Sequence, residues 1–157
     1  MTAHFDPKMM KKDRQKLTQK SELSTLVDFA EQLRLAGLRP TRQRIAIAAL
    51  LLDGRHRHVS ADSLSEEITA AGIQVSAGTV YNTLNQFTDA GLLRRVLVHN
   101  EYSLFDTNTD HHHHFYDASN DQLVDIPTDD VILAKLPQAP DGHEIKVVDV
   151  VIHIQRK

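Results

Sequence analysis

The chain has 157 residues, which is enough for one ordinary domain or two small ones, and 41% of them are hydrophobic, so wholesale disorder is excluded. It contains no cysteine, which excludes disulfide bonds and zinc sites built from thiolates. No apolar run approaches the roughly 18 residues of a membrane span, and the first residues lack the apolar segment of a secretory signal, so we predict a cytoplasmic protein without membrane contact.

The net charge of -3 conceals an uneven distribution along the chain. Residues 1–100 contain 14 Lys and Arg against 10 Asp and Glu, a balance of +4, whereas residues 101–157 contain 4 against 11, a balance of -7. A basic front and an acidic rear are typical of a nucleic-acid-binding half joined to a half with another role. Small imbalances are common, so this interpretation needs a motif that agrees with it.

Residues 1–20 are polar and basic, and we expect a flexible arm that either contacts phosphates or frays. Four amphipathic helices are predicted to follow. The predicted N-caps are Thr41, Ser60 and Ser76, and the glycines expected to end helices are Gly37, Gly72 and Gly91. The apolar residues expected to face the core are Leu23, Leu26, Val27, Ala30 and Leu33 (first helix, 22–36), Ile45, Ala48, Ala49 and Leu52 (second), Leu64, Ile68 and Ala71 (third), and Val80, Leu84 and Phe87 (fourth).

The hydrophobic period changes after the fourth helix. The segment LLRRVLVHNEYSLFD alternates in polarity and has a turn near residues 99–101, which indicates a β-hairpin. Helices followed by such a hairpin make a winged helix-turn-helix. After a short linker, the predicted elements are a strand at 111–117, a strand at 122–126, a short helix at 129–135 and a last strand at 144–154. The sequence therefore predicts an α+β fold.

The fourth helix has a polar outward face that suits a DNA major groove. Asn can bond base edges, Tyr can contact a thymine methyl group or a phosphate, and Thr can bond a phosphate. The candidate DNA-binding residues on this helix are Thr79, Tyr81, Asn82 and Asn85. Arginines near the start of the second helix could clamp phosphates, and these are Arg39, Arg42 and Arg44. The alternative is a plain helical domain with a polar outer face.

Four consecutive histidines, residues 111–114, stand in the segment NTDHHHHFYD. An affinity tag or a solvated loop would explain them without function, but imidazole is a common metal ligand and short histidine tracts indicate metal binding. On a strand, His111 and His113 would point one way and His112 and His114 the other. The run therefore cannot close around one ion, but it can contribute pairs to two neighbouring sites.

Three segments, AGLRPTRQRIAI, HVSADSL and GTVYNTLNQFTDAGLL, closely resemble the ferric uptake regulator family of bacterial repressors. The resemblance implies a winged helix-turn-helix DNA-binding domain at 21–106, a hinge linker at 107–110, and a small α/β dimerisation and ligand-sensing domain at 111–157. It implies that Tyr81 and Asn82 lie where the recognition helix meets DNA. The expected partners are a second copy, or a higher oligomer, and double-stranded DNA with a near-palindromic site.

The resemblance also implies a metal site of mixed nitrogen and oxygen donors near the hinge. Its ligands would be His58, Asp106, His113 and Asp125, with His112 as a further metal ligand that faces a second site. His111 and His114 are candidates for that second site or for haem. Such donors suit Fe²⁺, Mn²⁺ or Zn²⁺.

The chain departs from the family at one motif. The family usually carries CxxC after its histidines and holds zinc with four thiolates, but here that place is DASND, so a four-cysteine zinc site is impossible. The missing cysteines, the histidine run and the ending LPQAPDGHEIKVVDVVIHI most resemble the iron response regulator branch of alphaproteobacteria. That branch implies a regulator of iron and haem genes, active at low iron and inactivated by haem, here on histidines. The alternative is a repressor activated by Fe²⁺ or Mn²⁺ without haem sensing.

Two further classes of protein fit the sequence less well. A metallohydrolase would need an open coordination position and a general base, and the sequence has no HExxH motif. A store for haem or metal would bind its ligand without binding DNA. We therefore predict a regulator and not an enzyme.

Overall fold

Helices and two small sheets make up the chain, and the computed structural model describes residues 28–99 and 102–157. The predicted basic arm, the residues Leu23, Leu26 and Val27 of the predicted first helix, and residues 100–101 of the predicted hairpin turn lie outside the described residues. The helices are α1 (described part 28–35), α2 (Arg42–Leu51), α3 (Ala61–Ala70) and α4 (Ala77–Asp89). The strands are β1 (His58–Val59), β2 (Arg94–His99), β3 (Tyr102–Asp106), β4 (His113–Asp117), β5 (Gln122–Ile126) and β6 (Val151–Ile154). Within these ranges, no helix is both long and apolar enough to cross a bilayer.

The helix ends follow the local chemistry of their capping residues. The side chains of Thr41, Ser60 and Ser76 each accept a hydrogen bond from a backbone N–H of the first turn, which satisfies a donor that the helix leaves free. Gly37, Gly72 and Gly91 follow helix ends with φ of 78°, 73° and 74°. Because side chains disfavour that left-handed conformation, glycine ends these helices, and the predicted caps and stops are confirmed.

The helices share one core, which Val80, Leu84 and Phe87 enter from α4 with no exposed surface. Ala71 was expected to face this core, and that prediction is wrong. The helix α3 ends at Ala70, and Ala71 caps it in an exposed position. The core also contains Val59 and Phe105, so the first sheet packs directly on the helices.

The first sheet, the wing sheet, has the strand order β1-β3-β2. It is antiparallel, and it places His58 and Arg94 on either side of Asp106. The second sheet has the order β5-β4-β6, with β5 antiparallel and β6 parallel to β4. The two sheets meet face to face through a cluster of buried apolar residues, which are Val96, Val98, Leu104, Tyr116 and Leu123. The molecule therefore has three layers: helices, wing sheet and second sheet.

The C-terminal part departs from three sequence predictions. The short helix predicted at 129–135 is only a 3-10 turn at Thr128–Asp130, and the strand predicted at 144–154 is limited to Val151–Ile154. The strand predicted from 111 begins at His113. Ile132 is 90% exposed, so a helix there would have no described surface on which to bury its apolar side. Short helices depend on such burial, and a strand forms only where a neighbouring strand pairs with it.

Candidate metal centre

Two cross-strand pairs build the centre, one from each sheet. His58 lies directly opposite Asp106 in the wing sheet, and His114 lies directly opposite Asp125 in the second sheet. Directly opposite residues project from the same face of a sheet, so each pair presents one imidazole and one carboxylate. His112 precedes β4 and adds a third imidazole. Because the sheets stack face to face, all five side chains converge between them.

These five residues form the His/Asp cluster, in which one donor atom from each lies within 4.8 Å of all the others. Asp106 Oδ2 is 2.9 Å from His112 Nε2, 3.2 Å from His114 Nε2 and 3.5 Å from His58 Nε2. Asp125 Oδ1 is 2.9 Å from His58 Nε2 and 3.4 Å from His112 Nε2. Three nitrogens and two oxygens therefore surround one small volume.

The donor nitrogens are oriented as ligands. The Nε2 atoms of His58 and His112 are buried, and neither makes a hydrogen bond of normal geometry to a described residue, although carboxylate oxygens lie 2.9 Å away. The other ring nitrogen of His112, Nδ1, lies 2.7 Å from the carbonyl oxygen of Asp110, which can only accept a hydrogen bond. That contact places a proton on Nδ1, so Nε2 is the nitrogen that faces the carboxylates and that a metal ion would bind, as in histidines that bind metal.

The carboxylate of Asp106 is fully buried. Burial opposes its ionisation, but His114 and His58, together with the backbone N–H of Asn108, outweigh burial and hold the pKa of Asp106 well below its usual range. The N–H of Asn108 donates to Oδ1 at 2.8 Å, so Oδ2 remains for the cluster. Burial lowers the pKa of His58, but the carboxylates of Asp106 and Asp125 outweigh it and raise that pKa overall.

The residues fit a divalent transition metal ion. Imidazole and carboxylate together suit Fe²⁺, Mn²⁺ and Zn²⁺. A bound metal ion would also give the buried Nε2 atoms of His58 and His112 a partner, whereas burying them without one is unfavourable. A four-thiolate zinc site cannot form, because the chain has no cysteine.

The structure divides the histidine run differently from the sequence prediction. His112 and His114 share the cluster, with ring centroids 4.5 Å apart, whereas His111 and His113 lie together elsewhere, 5.1 Å apart. His113 was expected in the first site, but its Nδ1 instead accepts a hydrogen bond from the backbone N–H of Val150 at 3.3 Å. His114, expected at the second site or on haem, takes that place, and His112, expected at the second site, lies in the same cluster. The physical reason is strand register, since His114 and not His113 pairs with Asp125.

The four predicted DNA-binding residues of α4 differ in solvent exposure and in their hydrogen bonds within the chain. Tyr81 is 51% exposed and Asn82 is also exposed, so both can reach a ligand. Thr79 is half-buried and its hydroxyl lies 2.9 Å from that of Ser76. Asn85 is half-buried and accepts a hydrogen bond from the guanidinium of Arg95. The four predicted residues thus form one surface, on which Tyr81 and Asn82 project furthest.

The three predicted phosphate-binding arginines lie near the start of α2. Arg39 and Arg42 are exposed. The guanidinium of Arg44 donates to Gln86 Oε1 on α4 at 2.7 Å and to the carbonyl oxygen of Arg39 at 2.8 Å. Arg44 therefore braces α2 against α4 while Arg39 and Arg42 remain open to solvent.

This combination of a winged helix-turn-helix, a stacked second sheet and a His/Asp cluster between them defines a ligand-responsive DNA-binding architecture. The sequence profile described as "Ferric uptake regulator family" matches residues 35–155. The chain belongs to the ferric uptake regulator family, whose members are transcription regulators and not enzymes.

Relatives in sequence extend over most of the chain. The chain is 31% identical over 125 residues to the ferric uptake regulation protein of Shigella flexneri, and the matched region covers 79% of this chain and 84% of that protein. The chain is 28% identical over 131 residues to the protein of the same name from Vibrio cholerae, and the matched region covers 83% of this chain and 87% of that protein. Similarity over about four fifths of this chain and of each relative supports one shared architecture.

Solved structures agree with this. The ferric uptake regulator of Francisella tularensis, determined with iron, has a TM-score of 0.65 at 25% identity and covers 77% of this chain and 93% of its own. The regulator of Pseudomonas aeruginosa, determined with manganese, has a TM-score of 0.59 at 26% identity, with 81% and 96% covered. The regulator of Vibrio cholerae has a TM-score of 0.64 at 22% identity, with 81% and 98% covered, and confirms the fold.

Proposed function

We propose that this protein is a dimeric, metal-responsive transcriptional regulator whose DNA affinity is set at the His/Asp cluster. The observation that carries the proposal is the convergence of five donor residues, with donor atoms within 4.8 Å of one another, between the wing sheet and the second sheet. A divalent cation there would supply the positive charge that two carboxylates and three neutral imidazoles favour. The relatives solved with iron and with manganese support a cation of that kind.

The position of His58 connects the cluster to the DNA-binding helices. His58 lies two residues before Ser60, whose side chain caps α3. The helix α3 packs against α4, which carries Tyr81 and Asn82. When His58 is held against Asp125 of the second sheet, the helix pair takes one orientation relative to that sheet. Ligand binding would thereby shift the population of the DNA-competent form.

A second copy of the chain would complete the regulator. On the outer face of the second sheet, Val124 is 53% exposed, Ile152 39% and Ile154 41%, and the following segment exposes Ile132. Apolar area of this kind is typical of a surface that a partner covers. A twofold dimer would present two α4 helices to successive major grooves of a near-palindromic site in the cytoplasm. Five protein donors leave little room for a substrate, so we do not propose an enzyme.

Selection from a random double-stranded DNA pool tests this function. The protein is incubated with the pool in Mn²⁺, and in parallel with a chelator. We expect a near-palindromic sequence to be enriched only in Mn²⁺, and the selected site to bind at least about tenfold more tightly with Mn²⁺, since typical coupling lies in that range. Enrichment that does not depend on the metal would contradict the proposal.

Haem inactivation is a second candidate, and the exposed ring of His111 favours it. In this version the protein binds DNA at low iron, and haem on a histidine weakens the complex, as in the iron response regulator branch. His112, His113 and His114 are only 6%, 3% and 1% exposed, so a porphyrin could reach their rings only if the surrounding elements separated. His111 is thus the one member of the run that fits haem as the chain is folded.

Haem titration of the selected DNA complex separates the two candidates. If haem inactivates the regulator, haem lowers DNA affinity, and His111→Ala removes both that effect and the Soret shift. The control is His143→Ala, which changes another exposed histidine far along the chain. If haem does not change DNA affinity and Mn²⁺ increases it, haem inactivation is excluded and the metal-activated regulator is the remaining candidate.

A further inference from the structure

Arg94 stands at the base of the wing, next to the His/Asp cluster. It lies opposite Asp106 in the register of β2 and β3, and His58 lies opposite Asp106 on the other side. These three residues therefore form one row across the wing sheet, on the face that meets the second sheet. The side chain of Arg94 is only 18% exposed. None of the proposed ligand roles uses it.

The guanidinium of Arg94 forms hydrogen bonds to the backbone carbonyl of Asp110 and to the carboxylate of Asp149. One nitrogen, Nη1, donates to the carbonyl oxygen of Asp110 at 2.7 Å, and His112 Nδ1 lies 2.7 Å from the same oxygen and 3.3 Å from Nη1. The other nitrogen, Nη2, donates to Asp149 Oδ1 at 2.6 Å. Asp149 lies two residues before β6, which begins at Val151. One side chain thus connects the wing, the backbone contact of a cluster histidine and the C-terminal segment.

We propose that Arg94 is a positioning residue that couples the cluster to the C-terminal segment. It holds the Asp110 carbonyl so that His112 keeps its proton on Nδ1 and turns Nε2 to the cluster. Through Asp149 it connects the orientation of His112 to the start of β6, which lies next to the outer face of the second sheet proposed as the dimer interface. The inference rests on the proposed function, because it assigns to Arg94 a role in metal binding at the same cluster.

The geometry requires an arginine. Two acceptors lie on different sides of the guanidinium, and its fixed fork reaches both at once, whereas a lysine ammonium is a point donor on a flexible stem. Without the Arg94 contact, the Asp110 carbonyl is free to turn away. The imidazole of His112 can then move its proton to Nε2, and a protonated Nε2 cannot bind metal.

Two variants and one control test the role. The variants are Arg94→Gln and Arg94→Lys, and the control is Tyr102→Phe. The Tyr102 hydroxyl donates to Asp121, so it also joins the wing to the second sheet, but away from the cluster. The affinity for Mn²⁺ is measured by electron paramagnetic resonance. We expect Arg94→Gln to weaken Mn²⁺ binding by about 10-fold to 100-fold, which is the usual effect of removing a group that holds a metal ligand in place. We expect Arg94→Lys to bind Mn²⁺ as weakly as Arg94→Gln. Tyr102→Phe should leave the affinity unchanged.

The path through Asp149 is tested by a double-mutant cycle. Asp149→Asn should weaken Mn²⁺ binding in the wild-type background and have no further effect beside Arg94→Gln. Full additivity of the two changes would overturn the coupling. An equal loss of Mn²⁺ affinity in Tyr102→Phe would also overturn it, since any loosening of the two sheets would then suffice.

A metal-free measurement separates this inference from the proposed function. In metal-free protein, the ¹⁵N shifts of His112 should show a protonated Nδ1, and Arg94→Gln should shift the population towards the Nε2–H tautomer. Unchanged shifts in Arg94→Gln would overturn the positioning role even if the wild type binds Mn²⁺. If the wild type fails to bind Mn²⁺ while these shifts respond as expected, the proposed function fails and the role of Arg94 in orienting His112 stands.

Discussion

At the scale of single residues, the cluster depends on which histidines share a face. His113 and His114 are adjacent, both are buried, and both carry the same side chain, so they form a matched pair. Only His114 directs its Nε2 towards Asp106 and Asp125. The structure thereby separates two neighbours that composition alone treats alike.

Replacing each of these two histidines tests the division of the run. We predict that His114→Ala lowers the affinity of the cluster for Mn²⁺ by at least about 100-fold, because it removes one of the five donors, and losing even a hydrogen-bond partner of a ligand costs about 10-fold to 100-fold. His113→Ala should leave that affinity within about threefold, since its ring lies on the other face. Isothermal titration of both variants gives the comparison. The reverse order of effects would mean that His113 and not His114 completes the centre.

The recognition surface is tested by another matched pair. Asn82 is exposed on α4, and Asn120 is exposed in the turn between β4 and β5. We predict that Asn82→Ala lowers affinity for the selected DNA site by about 10-fold to 100-fold, which corresponds to the loss of one base contact. Asn120→Ala should have no effect on DNA, and neither variant should alter Mn²⁺ binding. Equal DNA affinities for the two variants in a fluorescence anisotropy assay would remove α4 from the interface.

Inference from the sequence assigned three members of the cluster to one site and misplaced the other two. His58, Asp106 and Asp125 were expected together from the family resemblance, whereas His112 and His114 were expected at a second site. The alternation of side chains on a strand correctly predicted that the run would split into two pairs. It could not say which pair met Asp125, because a shift of one residue in register exchanges the faces.

At the scale of elements, the helices are defined by their ends. Gly91 follows α4 with φ 74°, whereas Gly78 lies inside α4, and a methyl group at either position would meet nothing within 4 Å. Space is therefore equal at the two positions, and backbone conformation alone distinguishes them.

Alanine at these two glycines should have opposite effects on the free energy of unfolding. We predict that Gly91→Ala destabilises by about 1 kcal/mol, because alanine disfavours the left-handed conformation. Gly78→Ala should stabilise by about 0.5 to 1 kcal/mol, because alanine is the better helix former. Urea unfolding of the metal-free protein measures both. Equal shifts of the same sign would show that the end of α4 is not fixed by backbone conformation.

The helices were predictable from the sequence because their signals are local. A cap such as Ser60 and a stop such as Gly72 act within a few residues of themselves. The C-terminal helix and the long last strand were not predictable in the same way. Their formation depends on surfaces distant in sequence, and residues such as Ile132 find none within one described chain.

At the scale of the whole molecule, the wing sheet is the middle layer. One of its faces packs on the helices through Phe105, and the other packs on the second sheet through Leu104. Side chains of successive residues in β3 thus contact the helical layer and the second sheet. A hinge at 107–110 stays a prediction, and any rearrangement there must also break the contact between the two sheets.

The oligomeric state can be tested on the outer face of the second sheet. Val124 is 53% exposed on β5, and Leu97 is 58% exposed on the wing. We predict that Val124→Asp converts a dimer into a monomer in sedimentation experiments, because it places a charge in the proposed interface. Leu97→Asp should remain dimeric. A dimer that survives Val124→Asp would exclude this face as the interface.

The most direct test of the whole account is the affinity of the protein for Mn²⁺ with and without its selected DNA site. Coupling between two sites is reciprocal, so a cluster that raises DNA affinity must itself bind metal more tightly on DNA. We predict that saturating DNA tightens Mn²⁺ binding by about 5-fold to 150-fold, and that His114→Ala abolishes this gain. The same Mn²⁺ dissociation constant in the free and the DNA-bound wild type would contradict the claim that the cluster controls DNA binding.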